Sequence, residues 1–194
     1  MDDRRGPGRP RQAETDAAIT AAALDLLIER GVDAVGIEQV ARLAGVTRAT
    51  VYRRFPDRIA LLIAAITAGH EAPAGVPDDL EFGQLLTLLA EHLSDSRHRR
   101  LARRLMTALQ DQPELRDAYL ETGIRPREQA IRATLARARD AGRFPPGTDL
   151  AVIATILTGA VAVHLTSHPD DSTPRQIEEF LLGVMRQTGY QEGS

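Results

Sequence analysis

The sequence predicts an all-α chain of about nine helices, on three observations. Apolar residues recur at three- and four-residue intervals along nearly every segment, no segment alternates convincingly with period two, and glycine and proline cluster between the periodic stretches. The elements group into an N-terminal three-helix unit holding a helix-turn-helix, a fourth helix joining it to the rest, and a C-terminal helical bundle that dimerises. The expected divisions are a flexible basic arm over residues 1–11, the N-terminal unit over 12–69 and the bundle over 80–190.

Each element has its own local reason. Ile19, Ala23, Leu26 and Leu27 share a helix face, and Arg30-Gly31 supplies a cationic last turn followed by a C′ glycine. A short helix runs from Ile37 to Ala44, followed by the turn Gly45-Val46-Thr47 and a helix reaching Phe55-Pro56. Asp57 suits the N-cap of a fourth helix over roughly Arg58 to Gly69. Residues 70–79, with two prolines and a glycine, read as a linker. Phe82, Leu85, Leu86, Leu89 and Leu93 form the stripe of a fifth helix, and Leu101, Leu105, Ala108 and Leu109 that of a sixth. Leu115 to Tyr119 and Ile131 to Ala138 read as one longer helical region, weakest near Gly123 or Pro126. Pro145-Pro146-Gly147 marks a turn before the almost wholly apolar run from Leu150 to Leu165. The last helix opens at Ser172-Thr173-Pro174, with Thr173 as N-cap and Gln176 completing a capping box, and ends at Gly189.

The composition excludes whole classes of chemistry. The 194 residues contain no cysteine, which removes disulfide frameworks, thiolate nucleophiles and Cys-ligated zinc or iron–sulfur centres. No Ser/His/Asp spacing, Gly-rich phosphate loop or paired-carboxylate motif stands out, so no catalytic residue, cofactor or metal is expected and the chain is not read as an enzyme. No apolar run follows Met-Asp-Asp-Arg-Arg, which places the chain in the cytoplasm as an expectation. The net charge of −3 hides a segregated distribution. All 24 cations are arginine; four fall in residues 4–11 without an acid, and five fall in residues 42–58 against Asp57 alone. Two basic islands near one end fit either two contacts on one anionic partner or merely solvated faces.

The segment from Ile37 to Phe55 has helix-turn-helix spacing. Val40, Ala41 and Ala44 supply the inner face of its first helix, with Ala41 small enough for a close crossing, and Gly45 stands where the chain must turn sharply. Val46 and Val51 fill the angle between the helices, and Thr47 suits the second N-cap. Thr47, Arg48, Ala49, Thr50, Tyr52 and Arg53 are left on the outward surface, a mixture of hydroxyls, methyls, a phenol and guanidiniums suited to base edges and phosphates in a major groove. Such a unit also occurs in proteins that never meet nucleic acid.

Gly31-Val-Asp-Ala, Ile37-Glu-Gln-Val-Ala, the run from Ala44 to Arg58 and Ala-Leu-Leu up to Leu62 resemble the tetracycline-repressor (TetR) family, over roughly residues 12–69. The resemblance implies a dimeric one-component transcriptional regulator that binds double-stranded operator DNA through helices 1 to 4 and an unidentified small molecule through the remaining helices. It also implies that Thr47 to Phe55 is the recognition helix and that Tyr52 and Arg58 touch phosphates. Members often carry lysine at the place of Arg58 and serine or threonine at that of Gly36; glycine still caps, so a slightly frayed second helix is expected. Beside this unit Pro7-Gly8-Arg9-Pro10-Arg11 resembles the core of an AT-hook, which makes Arg9 and Arg11 candidate minor-groove contacts; the alternative is a solubilising tail.

Other features carry competing readings. Leu150 to Ser167 contains no charged Asp, Glu, Lys or Arg, so a membrane span and a dimer helix both fit; its small residues favour the interface, drawn as Ile153, Ile156, Leu157 and Ala160 with Phe180, Leu181 and Val184 of the final helix. No membrane partner is expected. His164 and His168 could share a metal or be structural, and His92 could face a pocket or solvent; structural or exposed roles are favoured. The arginines from Arg97 to Arg104 read as a solvated helix face. A ligand pocket is drawn from Phe82, Leu86, Leu89, Leu105, Met106, Tyr119 and Ile124, each equally readable as plain core. The expected function is a ligand-released repressor on a palindromic operator. An activator with the same motif, or a helical small-molecule-binding protein or enzyme without operator binding, remains the alternative.

Overall fold

The computed structural model describes residues 9–69, 80–121 and 125–193, with side chains described for 12–69, 80–121 and 128–193. Among the described residues there is no strand, and ten α-helices follow one another: α1 (Arg9–Arg30), α2 (Ile37–Leu43), α3 (Arg48–Arg54), α4 (Arg58–Gly69), α5 (Phe82–Ser94), α6 (Ser96–Asp111), α7 (Pro113–Tyr119), α8 (Arg125–Asp140), α9 (Leu150–Ser167) and α10 (Pro174–Gln187). A single 3-10 turn, Val32–Ala34, separates α1 from α2. The count exceeds the expected nine because residues 113–140 hold two helices, α8 restarting at Arg125 with Pro126 in its first turn, where its missing N–H costs nothing. Most of the expected arm, residues 1–8, lies outside the described residues. Helical backbone begins at Arg9, so Arg9, Pro10 and Arg11 form the first turn of α1.

The described chain forms two compact units whose division cuts through α6. The first holds residues 9–69 together with Arg104–Tyr119, so α1 to α4 are joined by the second half of α6 and by α7. Its core is the α1 face of Ile19, Ala23, Leu26 and Leu27, all at most 4% exposed, packed on Leu61, Leu62, Ala65 and Ile66 of α4, all at most 1% exposed. Full burial of each Leu or Ile contributes about 1.5–3 kcal/mol, so this seam outweighs any single cap or ion pair in the unit. Leu115 of α7 is fully buried, and α7 packs on α4.

The second unit contains α5, the first half of α6, α8, α9 and α10. Here α10 packs on α5 and α9, and α8 on α9 and α5. Asp149 accepts from the N–H groups of Ala151 and Val152 and so starts α9, while Thr173 accepts from Gln176 N and starts α10 as expected. Phe82 lies with its ring centroid 4.9 Å from that of Tyr190 and 5.7 Å from that of Phe144, three rings closing one end of the unit.

Candidate nucleic-acid interface

The helix-turn-helix is built by short-range devices. Gly31, after α1, and Gly45, after α2, have φ of 86° and 67°, the left-handed values that a glycine adopts without strain. Val46 N donates to Ala41 O at 2.9 Å, turning the chain back across α2. Val40, Ala41 and Val51 are buried to 2% or less and Ala44 and Val46 half-buried, which fixes the angle between α2 and α3. Thr47 caps α3, its hydroxyl accepting from Thr50 N at 3.2 Å and pairing with the Thr50 hydroxyl at 2.9 Å. Asp57 accepts from Ala60 N at 2.7 Å and starts α4. Gly36 precedes α2 with no side-chain cap, and α2 is nonetheless complete over its seven residues.

This frame leaves Thr47, Arg48, Ala49, Tyr52 and Arg53 exposed on α3 and at its cap, with Thr50 half-buried. Tyr52 is 52% exposed, and Arg48 lies 3.8 Å from Glu38 in an open pair too solvated to hold it firmly. The side chains of Arg9 and Arg11 lie outside the described residues, although their backbone belongs to α1.

Arg58, expected to touch a phosphate, holds main-chain oxygens of its own unit. Its Nε donates to Val35 O at 2.9 Å and its Nη2 to Val32 O at 2.5 Å, with Asp33 at 3.9 Å. These bonds pin the start of α4 onto the 3-10 turn, while the side chain remains 36% exposed. Arg54 also turns inward, onto Gln12 O at 3.2 Å and the Asp16 carboxylate. Of the five arginines in the second basic island, Arg42, Arg48 and Arg53 remain outward. Sequence reasoning counted five because composition records a charge and not its direction.

The arginine run is the solvated face expected at Arg97, Arg100 and Arg104, which are exposed, but not at Arg99 and Arg103. Arg99 is fully buried and uses all its donors: Nη1 toward Leu93 O (3.2 Å) and His164 Nδ1 (3.2 Å), Nη2 toward His164 O (3.5 Å) and His168 O (3.1 Å), and Nε toward Asp170 (3.4 Å). It thus neutralises the carbonyl ends of α5 and α9 with one cation. Arg103 donates to Leu165 O and binds the same Asp170 carboxylate, whose pKa these two arginines hold low. His164 is buried and stacked on His168, ring centroids 4.2 Å apart, and its pKa is lowered to about 4 by burial, then by His168 and Arg99. No group of three metal-ligating side chains occurs among the described residues. His92 stacks on His98 at 4.0 Å.

The expected interface set divides by helix phase. Ile153, Leu157, Ala160 and Leu181 are at most 8% exposed within the protomer and belong to its own core, which corrects their assignment to a partner surface. Ile156, Phe180 and Val184 are half-buried, and the open apolar positions of α9 are Val152 at 52% and Val163 at 53%. The helix Leu150–Ser167 is long and apolar enough to cross a membrane by length and composition. The expected pocket set divides between the units, Phe82, Leu86 and Leu89 in the second and Leu105, Met106 and Tyr119 in the first, while Ile124 lies outside the described residues. Phe82 is 1% exposed beneath Phe144 and Tyr190, so its ring surface is already covered.

Comparison with known proteins agrees with this architecture. The family described as bacterial regulatory proteins, tetR family, matches residues 19–65, and the tetracyclin repressor-like C-terminal domain matches residues 76–182. The chain is 25% identical over 182 residues to the uncharacterized HTH-type transcriptional regulator YdeS of Bacillus subtilis, covering 92% of each. Among solved structures it resembles Salmonella enterica GusR, with a TM-score of 0.70 at 16% identity over 94% of this chain and 98% of that one. NalD, the secondary repressor of the MexAB-OprM multidrug efflux pump in Pseudomonas aeruginosa, gives a TM-score of 0.66 at 22% identity over 91% and 96%. With both halves of the chain matched, the protein belongs to the tetR family of bacterial regulatory proteins and is a DNA-binding transcriptional regulator rather than an enzyme.

Proposed function

We propose that the protein acts in the cytoplasm as a homodimeric repressor that binds a palindromic operator and releases it when a small molecule enters the C-terminal unit. The observation that carries the DNA half of this reading is the outward face of α3, where Tyr52 and Arg53 stand exposed behind the Thr47 cap. Thr47, Arg48, Ala49 and Thr50 lead the helix into the major groove, and Tyr52 and Arg53 bind backbone phosphates and base edges. Two such helices related by a dimer axis reach successive major grooves about 34 Å apart. The open apolar face of α9, with Val152 and Val163, favours pairing of two chains over a membrane role, joined by the half-buried Phe180 and Val184 of α10. Effector binding lowers affinity by favouring an arrangement of the two recognition helices that misfits the operator.

The test is selection of bound fragments from the source genome by the purified protein, followed by affinity measurements on the recovered duplex. Tyr52→Ala and Arg53→Ala are expected each to weaken binding by about 1–3 kcal/mol while the molecular mass in solution stays unchanged. Parent-like binding by both variants would overturn the recognition-helix assignment.

A further inference from the structure

The outward side of the helix-turn-helix carries an acid beside its cations. Glu38 stands in the first turn of α2 with its side chain 80% exposed, and its Oε1 lies 3.8 Å from Nη1 of Arg48, the first residue of α3. The two helices pack through the buried Val40, Ala41 and Val51, so one frame carries the carboxylate together with Thr47, Arg48 and Ala49. An exposed pair at this separation adds little to stability. Near a duplex, moreover, an acid repels phosphate. What Glu38 offers there is an acceptor, since an ionised carboxylate cannot donate. The donors at the base edges of the major groove are the amino groups of adenine and cytosine. That of adenine lies between two acceptors, its own N7 and the thymine O4, both of which repel a carboxylate. That of cytosine has acceptors on one side alone, the O6 and N7 of the paired guanine, and those are the atoms an arginine takes.

We propose that Glu38 is a specificity-determining residue of the DNA interface: its carboxylate accepts from the amino group of a cytosine while Arg48 donates to the guanine of the same pair. The inference rests on the proposed reading of α3 as the recognition helix and extends base reading to α2. It separates two effects of one charge. If Glu38 were only a solvated acid, removing it would tighten binding to every duplex alike. As a reader of cytosine it lowers affinity for most sequences and favours one. Glu38→Gln keeps the shape but both donates and accepts, so it takes the thymine O4 as readily as the cytosine amino group.

The experiment uses the full chain and a pool of duplexes randomised in sequence, from which the parent, Glu38→Gln and Glu38→Ala each select. Affinities are then measured across a salt series for the duplex recovered with the parent, for that duplex with the assigned C·G pair changed to T·A, and for a random-sequence duplex. Melting curves control for folding. The parent is expected to prefer C·G over T·A about tenfold at one position of the half-site. Both variants are expected to lose that preference and keep those at other positions, and Glu38→Gln to bind the random duplex more tightly than the parent does. Recovered sequences identical to the parent's overturn the inference, as do equal changes of affinity on all three duplexes or a loss of preference at every position together. A parent with no position that favours cytosine overturns it too, and that result needs no variant to fold. A parent that retains no duplex at all overturns the reading of α3, a result distinct from each of these.

Discussion

Arg99 Nη1 lies 3.2 Å from His164 Nδ1, and neither side chain is open to solvent. Since the guanidinium only donates, His164 must accept at Nδ1 and carry its proton on Nε2. A second proton on this ring would abolish the acceptor and place two cations in contact. Burial, His168 and Arg99 together lower its pKa to about 4 from 6.5.

The pH dependence of stability follows. Above the unfolded value of 6.5 both states are neutral and the contribution is complete; as pH falls from there toward the folded value of about 4, the unfolded chain takes up a proton that the folded chain refuses. Stability is therefore expected to fall by about 2 kcal/mol between about pH 7 and pH 5 through this group. Urea unfolding of the parent and of His164→Gln, which offers Arg99 an oxygen acceptor and cannot titrate, checks it. The variant should show a flatter profile over that interval, and identical slopes would remove His164 as the cause.

Arg58 and Arg48 should fail differently. Arg58→Ala deletes two hydrogen bonds to backbone carbonyls and is expected to cost about 2 kcal/mol of folding stability, discounted for partial exposure, with an unchanged salt slope of DNA binding. Arg48→Ala is expected to leave the melting point near that of the parent and to reduce the salt slope by about one. A lowered slope for Arg58→Ala would return it to the phosphate contacts.

The Thr47 hydroxyl caps a helix of only seven residues, so its loss should be felt locally and on DNA together. Thr47→Ala is expected to cost about 1 kcal/mol of stability, with Thr47→Ser recovering most of it. Thermal melts and amide exchange over residues 48–54 measure the effect, and full protection in Thr47→Ala would refute the cap's importance.

Two glutamates on the open side of α9 separate interface from core. Val152→Glu with Val163→Glu is expected to halve the mass in sedimentation while keeping helicity, because both positions face away from the protomer core. Leu157→Glu, placed at a 2% exposed position, should instead unfold the chain. An unchanged mass for the double variant would move the dimer surface elsewhere.

What the sequence made legible was local. Gly45 announces a left-handed turn, Thr47 and Thr173 announce caps, and Asp57 announces the start of α4, since each acts within three or four residues of itself. Arginine is the reverse case. Arg58, Arg54 and Arg99 find partners 23, 38 and 71 residues away, choices made by tertiary packing that no window of sequence contains. In α9 the difficulty was phase: a helix without charge on any side has no periodic signal to distinguish Leu157, which faces inward, from Val163, which faces out. Asp149 before an apolar run and Gln84 reaching back to Glu81 N were readable by the same capping logic that located Thr173.

Because Arg58 grips the main-chain oxygens of positions 32 and 35, the tie is indifferent to which side chains decorate those positions. What constrains Val32 and Val35 is the core that buries their side chains, not this tie. The burden falls on a single forked cation, so the joint depends on the identity of one side chain on one side and on backbone alone on the other.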